Sequence, residues 1–217
     1  MPELERDAGR LTFKLVYYGP AQGGKTTNLM QLHDLVGAEM KGELMTLETQ
    51  HDRTLFFDLL PLGFRAPSGL MIRFRLFTVP GQVAHDGTRK AVLSRADGVV
   101  FVADSQRTEA TNNGESFQNL AENLGRVGLD LERLPIVVQF NKRDLPSILS
   151  EEEVRERYEG APWPLMFASA INGSGVVPTF RLLLQGVWRQ FASEFELDTA
   201  HGLDEATFLK AALGEAQ

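Results

Sequence analysis

Gly19-Pro20-Ala21-Gln22-Gly23-Gly24-Lys25-Thr26-Thr27 follows an apolar, partly β-branched run, Leu11 to Tyr18, and precedes an amphipathic run, Asn28 to Val36. The stretch therefore sits where a strand hands over to a helix. Its spacing fits G-x-x-x-x-G-K-[ST], the phosphate-binding loop, in which successive backbone N–H groups wrap a polyphosphate and the helix N-terminus adds partial positive charge. Gly19, Gly23 and Gly24 let the backbone come close, with Ala21, Gln22 and Thr27 completing the cradle. Lys25 is placed to reach the β and γ phosphates, and the Thr26 hydroxyl suits Mg²⁺, a hard, oxygen-seeking cation. A glycine-rich turn with a chance lysine is the plain alternative. It gives no reason for the strand before and the helix after.

Outward from this loop, strand-like and helix-like runs alternate. Thr12 to Tyr18, Glu43 to Leu47, Leu70 to Val79, Gly98 to Asp104, Pro135 to Asn141 and Pro164 to Ala168 read as strands, the pattern of βαβ units around a mostly parallel sheet. Val99 to Ala103 and Ile136 to Phe140 are near-continuously apolar, as central strands covered on both faces should be. Ile72, Phe74 and Leu76 alternate with Arg73, Arg75 and Phe77, which predicts a strand with one wetter face, nearer an edge, and an antiparallel partner in Gly42 to Leu47. Gly63 to Gly69 reads as a hairpin-like connection.

Helices follow from spacing. Phe117, Leu120 and Leu124 share one stripe, and Phe180, Leu184, Val187 and Phe191 another. Glu151 to Arg157 is a short charged helix with Ser150 as N-cap and Glu153 at the reciprocal position. After Phe195 hydrophobic density falls. Asp204 to Leu213 has the pattern of one more helix, with Ala206, Leu209 and Leu213 on a face. Residues 10–194 then form one domain and 195–217 an acidic C-terminal extension, whose docking the sequence leaves open.

Composition sets outer bounds. The 217 residues suffice for one α/β core with an appendage. A chain that is 43% hydrophobic and 24% charged is of the soluble globular kind. It has no cysteine, which excludes disulfides, thiolate metal sites, a cysteine nucleophile and a prenyl or palmitoyl anchor. The acidic start and the lack of a membrane-length apolar run point to a cytoplasmic protein. A net charge of −7 argues against nucleic acid as a partner.

A second motif names the base. Asn141-Lys142-Arg143-Asp144, directly after an apolar strand, fits N-K-x-D: the Asp144 carboxylate can accept from the N1–H and 2-amino groups of guanine, a pair that adenine does not offer. Lys142 would lay its stem along the base, and Asn141 would tie this loop to the phosphate loop. Ser169-Ala170 follows the last strand, where a backbone N–H can meet the guanine carbonyl.

Together these motifs resemble the Ras-like small GTPases, and most closely the bacterial MglA-type GTPases that control cell polarity and gliding motility. The resemblance covers Phe13 to about Phe191 and rests also on Asp52-Arg53-Thr54-Leu55-Phe56-Phe57-Asp58, Thr78-Val79-Pro80-Gly81-Gln82 and Phe101-Val102-Ala103-Asp104-Ser105. It implies an α/β, three-layer P-loop NTPase fold with a mostly parallel six- or seven-stranded sheet, GTP or GDP with Mg²⁺ as ligands, and hydrolysis by a water that Gln82 orients. Thr54, with Thr26, would serve Mg²⁺, and the Gly81 N–H would meet the γ-phosphate. Arg53 resembles an arginine supplied within the chain to neutralise transition-state charge, worth ~10³ to 10⁵ in rate where its geometry is right. The implied partners are an MglB-like roadblock protein and polarity or motility effectors.

Two positions depart from the Ras pattern. Thr78 stands where D-x-x-G has its aspartate, as in the MglA-type proteins, which leaves Asp58 as the candidate for a water-mediated role at Mg²⁺. Ala21 replaces a glycine close to where the γ-phosphate, glutamine and arginine must meet, and this implies slow intrinsic hydrolysis. Two other classes stay open: an ATP-using P-loop kinase, which has no use for N-K-x-D, and a GTP-binding scaffold with negligible turnover, which Ala21 and Thr78 favour.

Overall fold

Val99 to Ala103 and Ile136 to Phe140 are buried throughout and lie side by side in the middle of a sheet. The computed structural model describes residues 1–37, 40–48, 56–80 and 86–214. Along them run β1 (Glu3–Glu5), β2 (Arg10–Tyr18), α1 (Lys25–Leu35), β3 (Met45–Glu48), β4 (Phe56–Arg65), β5 (Met71–Thr78), α2 (Asp86–Leu93) and β6 (Gly98–Asp104). Then come α3 (Ala110–Arg126), β7 (Ile136–Asn141), α4 (Glu151–Arg157), β8 (Leu165–Phe167), α5 (Val176–Phe191) and α6 (Glu205–Leu213). The sheet order is β3-β4-β5-β2-β6-β7-β8, with β1 antiparallel on β2. From β5 to β8 neighbours are parallel, whereas β4 runs antiparallel to both of its neighbours, β3 and β5.

Each central strand feeds two cores because successive side chains point to opposite faces. Leu15, Tyr17, Val100, Val102 and Val137 pack with Leu29, Leu32, Phe180 and Leu184 from α1 and α5. Val16, Tyr18, Val99, Phe101 and Val138 pack with Val92, Leu120, Leu124 and Val154 from α2, α3 and α4. This is the expected three-layer α/β arrangement. At α4 the Ser150 hydroxyl accepts from the Glu153 N–H at 3.2 Å while the Glu153 carboxylate accepts from the Ser150 N–H at 2.8 Å, so the reciprocal cap is complete.

The strand Met71–Thr78 alternates as expected, with Ile72, Phe74 and Leu76 buried and Arg73 and Arg75 exposed. Its partner is different, however. β4, not Gly42 to Leu47, pairs with it antiparallel, and β3 adds to the outside of β4, so two strands separate it from the edge. Pro61 and Gly63 hid β4 in the sequence, since both weaken a strand. The Pro61 carbonyl accepts from the Gly42 N–H at 2.8 Å, so the side lacking a proline N–H faces outward, beyond the end of β3. Gly63 is in the strand, and a Cβ there would stand 2.8 Å from the Ile72 carbonyl oxygen. The hairpin turn itself is residues 66–70, closed by Ala66 N–H to Leu70 O at 2.8 Å.

The C-terminal segment docks. Asp204 caps α6 by accepting from the Thr207 N–H at 2.7 Å. The buried face is Phe208, Leu209, Ala212 and Leu213; Ala206, expected on it, is exposed, because the stripe is set by Phe208, two residues on and so on nearly the opposite side of the helix. That ring sits among Phe13, Phe64 and Phe74, with centroids 6.5, 5.9 and 5.9 Å away. Trp188 Nε1–H donates to Leu203 O at 2.9 Å, which ties the approach to α6 onto α5. At the far end the Gly37 N–H points to Leu213 O at 3.5 Å, and a Cβ on Gly37 would lie 3.1 Å from the Gly214 Cα.

Candidate nucleotide site

The loop after β2, the start of α1, the loop after β7 and the turn after β8 meet at the C-terminal ends of the parallel strands, where open α/β sheets bind ligands. Between them is a cleft of about 280 Å³ lined by Gln22, Gly24, Thr27, Asn141, Lys142, Asp144, Leu145, Ala170 and Ile171.

The loop between β2 and α1 takes a shape that its glycines require. Gly19 has φ 144° and a Cβ there would stand 2.2 Å from the Val102 carbonyl oxygen; Gly24, at φ 96°, would place one 2.2 Å from Asn141 Nδ2. Neither site admits a side chain. Gln22 at φ 58° adds local strain. Buried Lys25 donates from Nζ to the carbonyls of Gly19 and Pro20 at 3.0 and 2.7 Å, which lays its ammonium across the loop. Thr26 follows as the second residue of α1, and Ala21 is exposed at the turn. The cradle offers backbone N–H groups, an ammonium and a helix N-terminus, the chemistry that polyphosphate needs.

Asn141 joins the two halves. Its Nδ2 donates to Gly23 O at 2.9 Å and its Oδ1 accepts from the Ala170 N–H at 2.9 Å, so one buried amide fixes the phosphate loop, β7 and the turn after β8 together. The Ala170 N–H thus serves the loop. Ser169 Oγ donates to Asp144 Oδ1, which orients that exposed carboxylate. Lys142 takes φ 66° and pairs through Nζ with Asp104 Oδ2 at 2.7 Å; Asp104 is itself held by the Gln106 N–H at 3.0 Å. This fixes the direction of the Lys142 stem along one wall. Leu145 and Ile171, the latter 71% exposed, give the cleft apolar surface that the sequence reading missed. The only signal for them was position, directly after N-K-R-D and Ser-Ala.

Of the other expected site residues, Arg53 and Thr54 fall in 49–55, and Gly81 and Gln82 in 81–85, outside the described residues. Asp58 lies in β4, its backbone opposite Thr46. Thr78 is buried at the end of β5, opposite Tyr17. Among the described residues no three His, Cys, Asp or Glu side chains converge as a metal cage. The Thr26 hydroxyl is a hard oxygen donor of the kind that Mg²⁺ accepts.

Arg89 in α2 was also missed. Only 1% exposed, its guanidinium donates from Nε to Pro80 O at 3.0 Å and from a terminal nitrogen to Asn119 Oδ1 at 2.6 Å, 5.7 Å from the centroid of the Tyr18 ring. Pro80 immediately precedes Gly81.

Comparison with known proteins shows the family to which the chain belongs. Residues 8–187 match the model of the ADP-ribosylation factor family. The chain is 49% identical over 181 residues to the mutual gliding-motility protein MglA of Myxococcus xanthus (strain DK1622), covering 83% of this chain and 93% of that one. It is 29% identical over 175 residues to elongation factor 4 of Listeria monocytogenes serotype 4a (strain HCC23), 76% of this chain but 27% of that protein's length.

Proposed function

The chain belongs to the ADP-ribosylation factor family and is an MglA-type small GTPase; on that footing we propose that it is a GTP-operated switch for cell polarity or gliding motility. The relative named for mutual gliding motility supplies the process. The observation that supports the site assignment is Asn141, whose side chain ties Gly23 to Ala170 and so holds the loop before α1 beside the turn after β8.

In this reading Gly19, Ala21, Gln22, Gly23, Gly24, Lys25, Thr26 and Thr27 hold the phosphates, and Asn141, Lys142, Asp144 and Ser169 the guanine, with Ala170 lining its pocket while its N–H anchors Asn141. Gln82 orients the attacking water and Arg53 offsets charge on the leaving phosphate. Thr26 and Thr54 would hold Mg²⁺, which would supply charge neutralisation to the phosphates. Gly81 and Thr54 sense the γ-phosphate, so the segments around them change order on hydrolysis. Effectors and an MglB-like roadblock regulator then read the difference. Residues 10–194 form the GTPase domain and 195–217 its extension.

Equilibrium titration of the purified chain with fluorescent GDP and ADP tests the base assignment: guanine should win by at least about 10³-fold, because a carboxylate denied its partners is costly. Equal affinities overturn it. A second reading, a scaffold with negligible turnover, is favoured by Thr78 in place of a carboxylate and by Ala21. Single-turnover phosphate release with and without the roadblock partner decides: the switch hydrolyses faster with it, and Gln82→Leu stops this. Ala21→Gly should raise the intrinsic rate.

A further inference from the structure

β7 carries a second buried amide two residues before Asn141, on the same face of the strand. Gln139 is wholly buried in an otherwise apolar run, and a polar side chain there needs partners to offset its desolvation. Its nitrogen has two: Nε2 donates to Asn28 Oδ1 in α1 and to Thr179 Oγ1 in α5, both at 2.9 Å, while Oε1 finds none among the described residues. Both partners are themselves fully buried and pass the link on. Asn28 Nδ2 donates to Gly24 O at 3.0 Å, and Thr179 Oγ donates to Gly175 O at 2.6 Å. The chain of bonds thus begins on the phosphate loop's last glycine and ends at the N-cap of α5, behind the turn that carries Ser169 and Ala170.

We propose that Gln139 is a positioning residue for nucleotide binding: from β7 it fixes the spacing of α1 and α5, which pack side by side on one face of the sheet, and so the distance between the phosphate cradle and the base loop. The inference rests on the guanine-nucleotide reading above. Asn141 joins the two loops at their rims, whereas Gln139 joins the helices behind them. A hinge held only at the rim can still open; held at both depths it cannot. A leucine at 139 fills the same space but strands Asn28 Oδ1 and Thr179 Oγ1 without that donor. The phosphate and base grips are then free to drift, and a ligand that must satisfy both at once loses most.

The test is the dissociation rate of fluorescent GDP from the full chain. Gln139→Leu removes two hydrogen bonds and an unpartnered buried oxygen, a net loss worth about one buried hydrogen bond, and should speed release about tenfold; Thr179→Val, which keeps the volume, should do so several-fold should the leucine variant not fold. Adding Gln139→Leu to Asn28→Ala should change little, because both cut one chain. Val138→Ala, buried on the opposite face of the same strand, controls for stability: it should lower the melting temperature without speeding release. If Gln139→Leu and Val138→Ala accelerate release equally at matched melting temperature, or if the effects of Gln139→Leu and Asn28→Ala multiply, the proposal fails. If the unaltered chain does not retain GDP, the nucleotide reading itself fails first.

Discussion

Arg89 Nε donates to the Pro80 carbonyl at 3.0 Å, so a buried cation on α2 holds the backbone of the residue that precedes Gly81 in sequence. Asn119 and the Tyr18 ring support the same guanidinium. Hydrogen bonds to charged groups contribute about 1.5 to 3 kcal/mol. Arg89→Met keeps much of the packing and removes the latch. It should reduce the preference for a GTP analogue over GDP about tenfold and leave GDP affinity nearly unchanged. Paired titrations check this, and an equal loss for both nucleotides would contradict the latch.

Gly24 has no room for a methyl group, with Asn141 Nδ2 2.2 Å from its site and φ at 96°. Gly24→Ala should displace Asn141 and weaken GDP binding about 100-fold or more, a loss of roughly 3 kcal/mol. Gly114, in α3, has open space around it, so Gly114→Ala should instead stabilise the fold by about 0.5 to 1 kcal/mol. Calorimetric titration and thermal unfolding separate the two.

The Tyr17 hydroxyl is wholly buried and finds no hydrogen-bond partner among the described residues, and burial pushes its phenol well above the usual range. Desolvation without compensation is unfavourable. Tyr17→Phe should stabilise the protein by about 1 kcal/mol, read from urea midpoints at unchanged slope.

Phe208 should be the main anchor of the tail. Phe208→Ala leaves a hole among Phe13, Phe64 and Phe74 and should cost about 3 to 5 kcal/mol. Differential scanning calorimetry would then show the melting point about 6 to 20 °C lower. A drop of a degree or less would mean that the tail adds nothing to the core.

Acid should weaken α4 through Glu153. Hydrogen bonds from Arg107, at 2.8 and 2.6 Å, and then from the Ser150 N–H hold its carboxyl at about 2 rather than the usual 4.5. Because the folded value is the lower one, this contribution is whole above pH 4.5 and fades as pH falls toward about 2. Glu153→Gln should flatten the stability profile in that window. The pair is exposed, so the change should be small and should shrink further in salt.

Motifs that work through spacing were readable from the letters alone. The Gly19–Thr27 loop, the N-K-R-D loop and the Ser150–Glu153 cap need only fixed offsets along the chain; the structure completes the cap and brings the two loops to one cleft. What was hidden depends on neighbours distant in sequence. β4 contains Pro61 and Gly63, which argue against a strand until one knows that the proline faces past the end of β3. Ala206 was expected on the apolar face of α6, but the aromatic floor laid by Phe13, Phe64 and Phe74 turns Phe208 inward instead. Gln139 was visible as a polar letter in an apolar run, yet its partners lie 111 and 40 residues away. Ile171 and Leu145 become walls only when two loops face each other across a cleft.

The contact between Gly37 and the end of α6 has a practical use. It puts the tail helix beside residues that lead toward Thr54, and the chain contains no thiol of its own. A single cysteine at exposed Lys210 would therefore accept a maleimide dye at one known place, giving a fluorescent vantage point on the loaded and discharged forms without labelling the loops themselves.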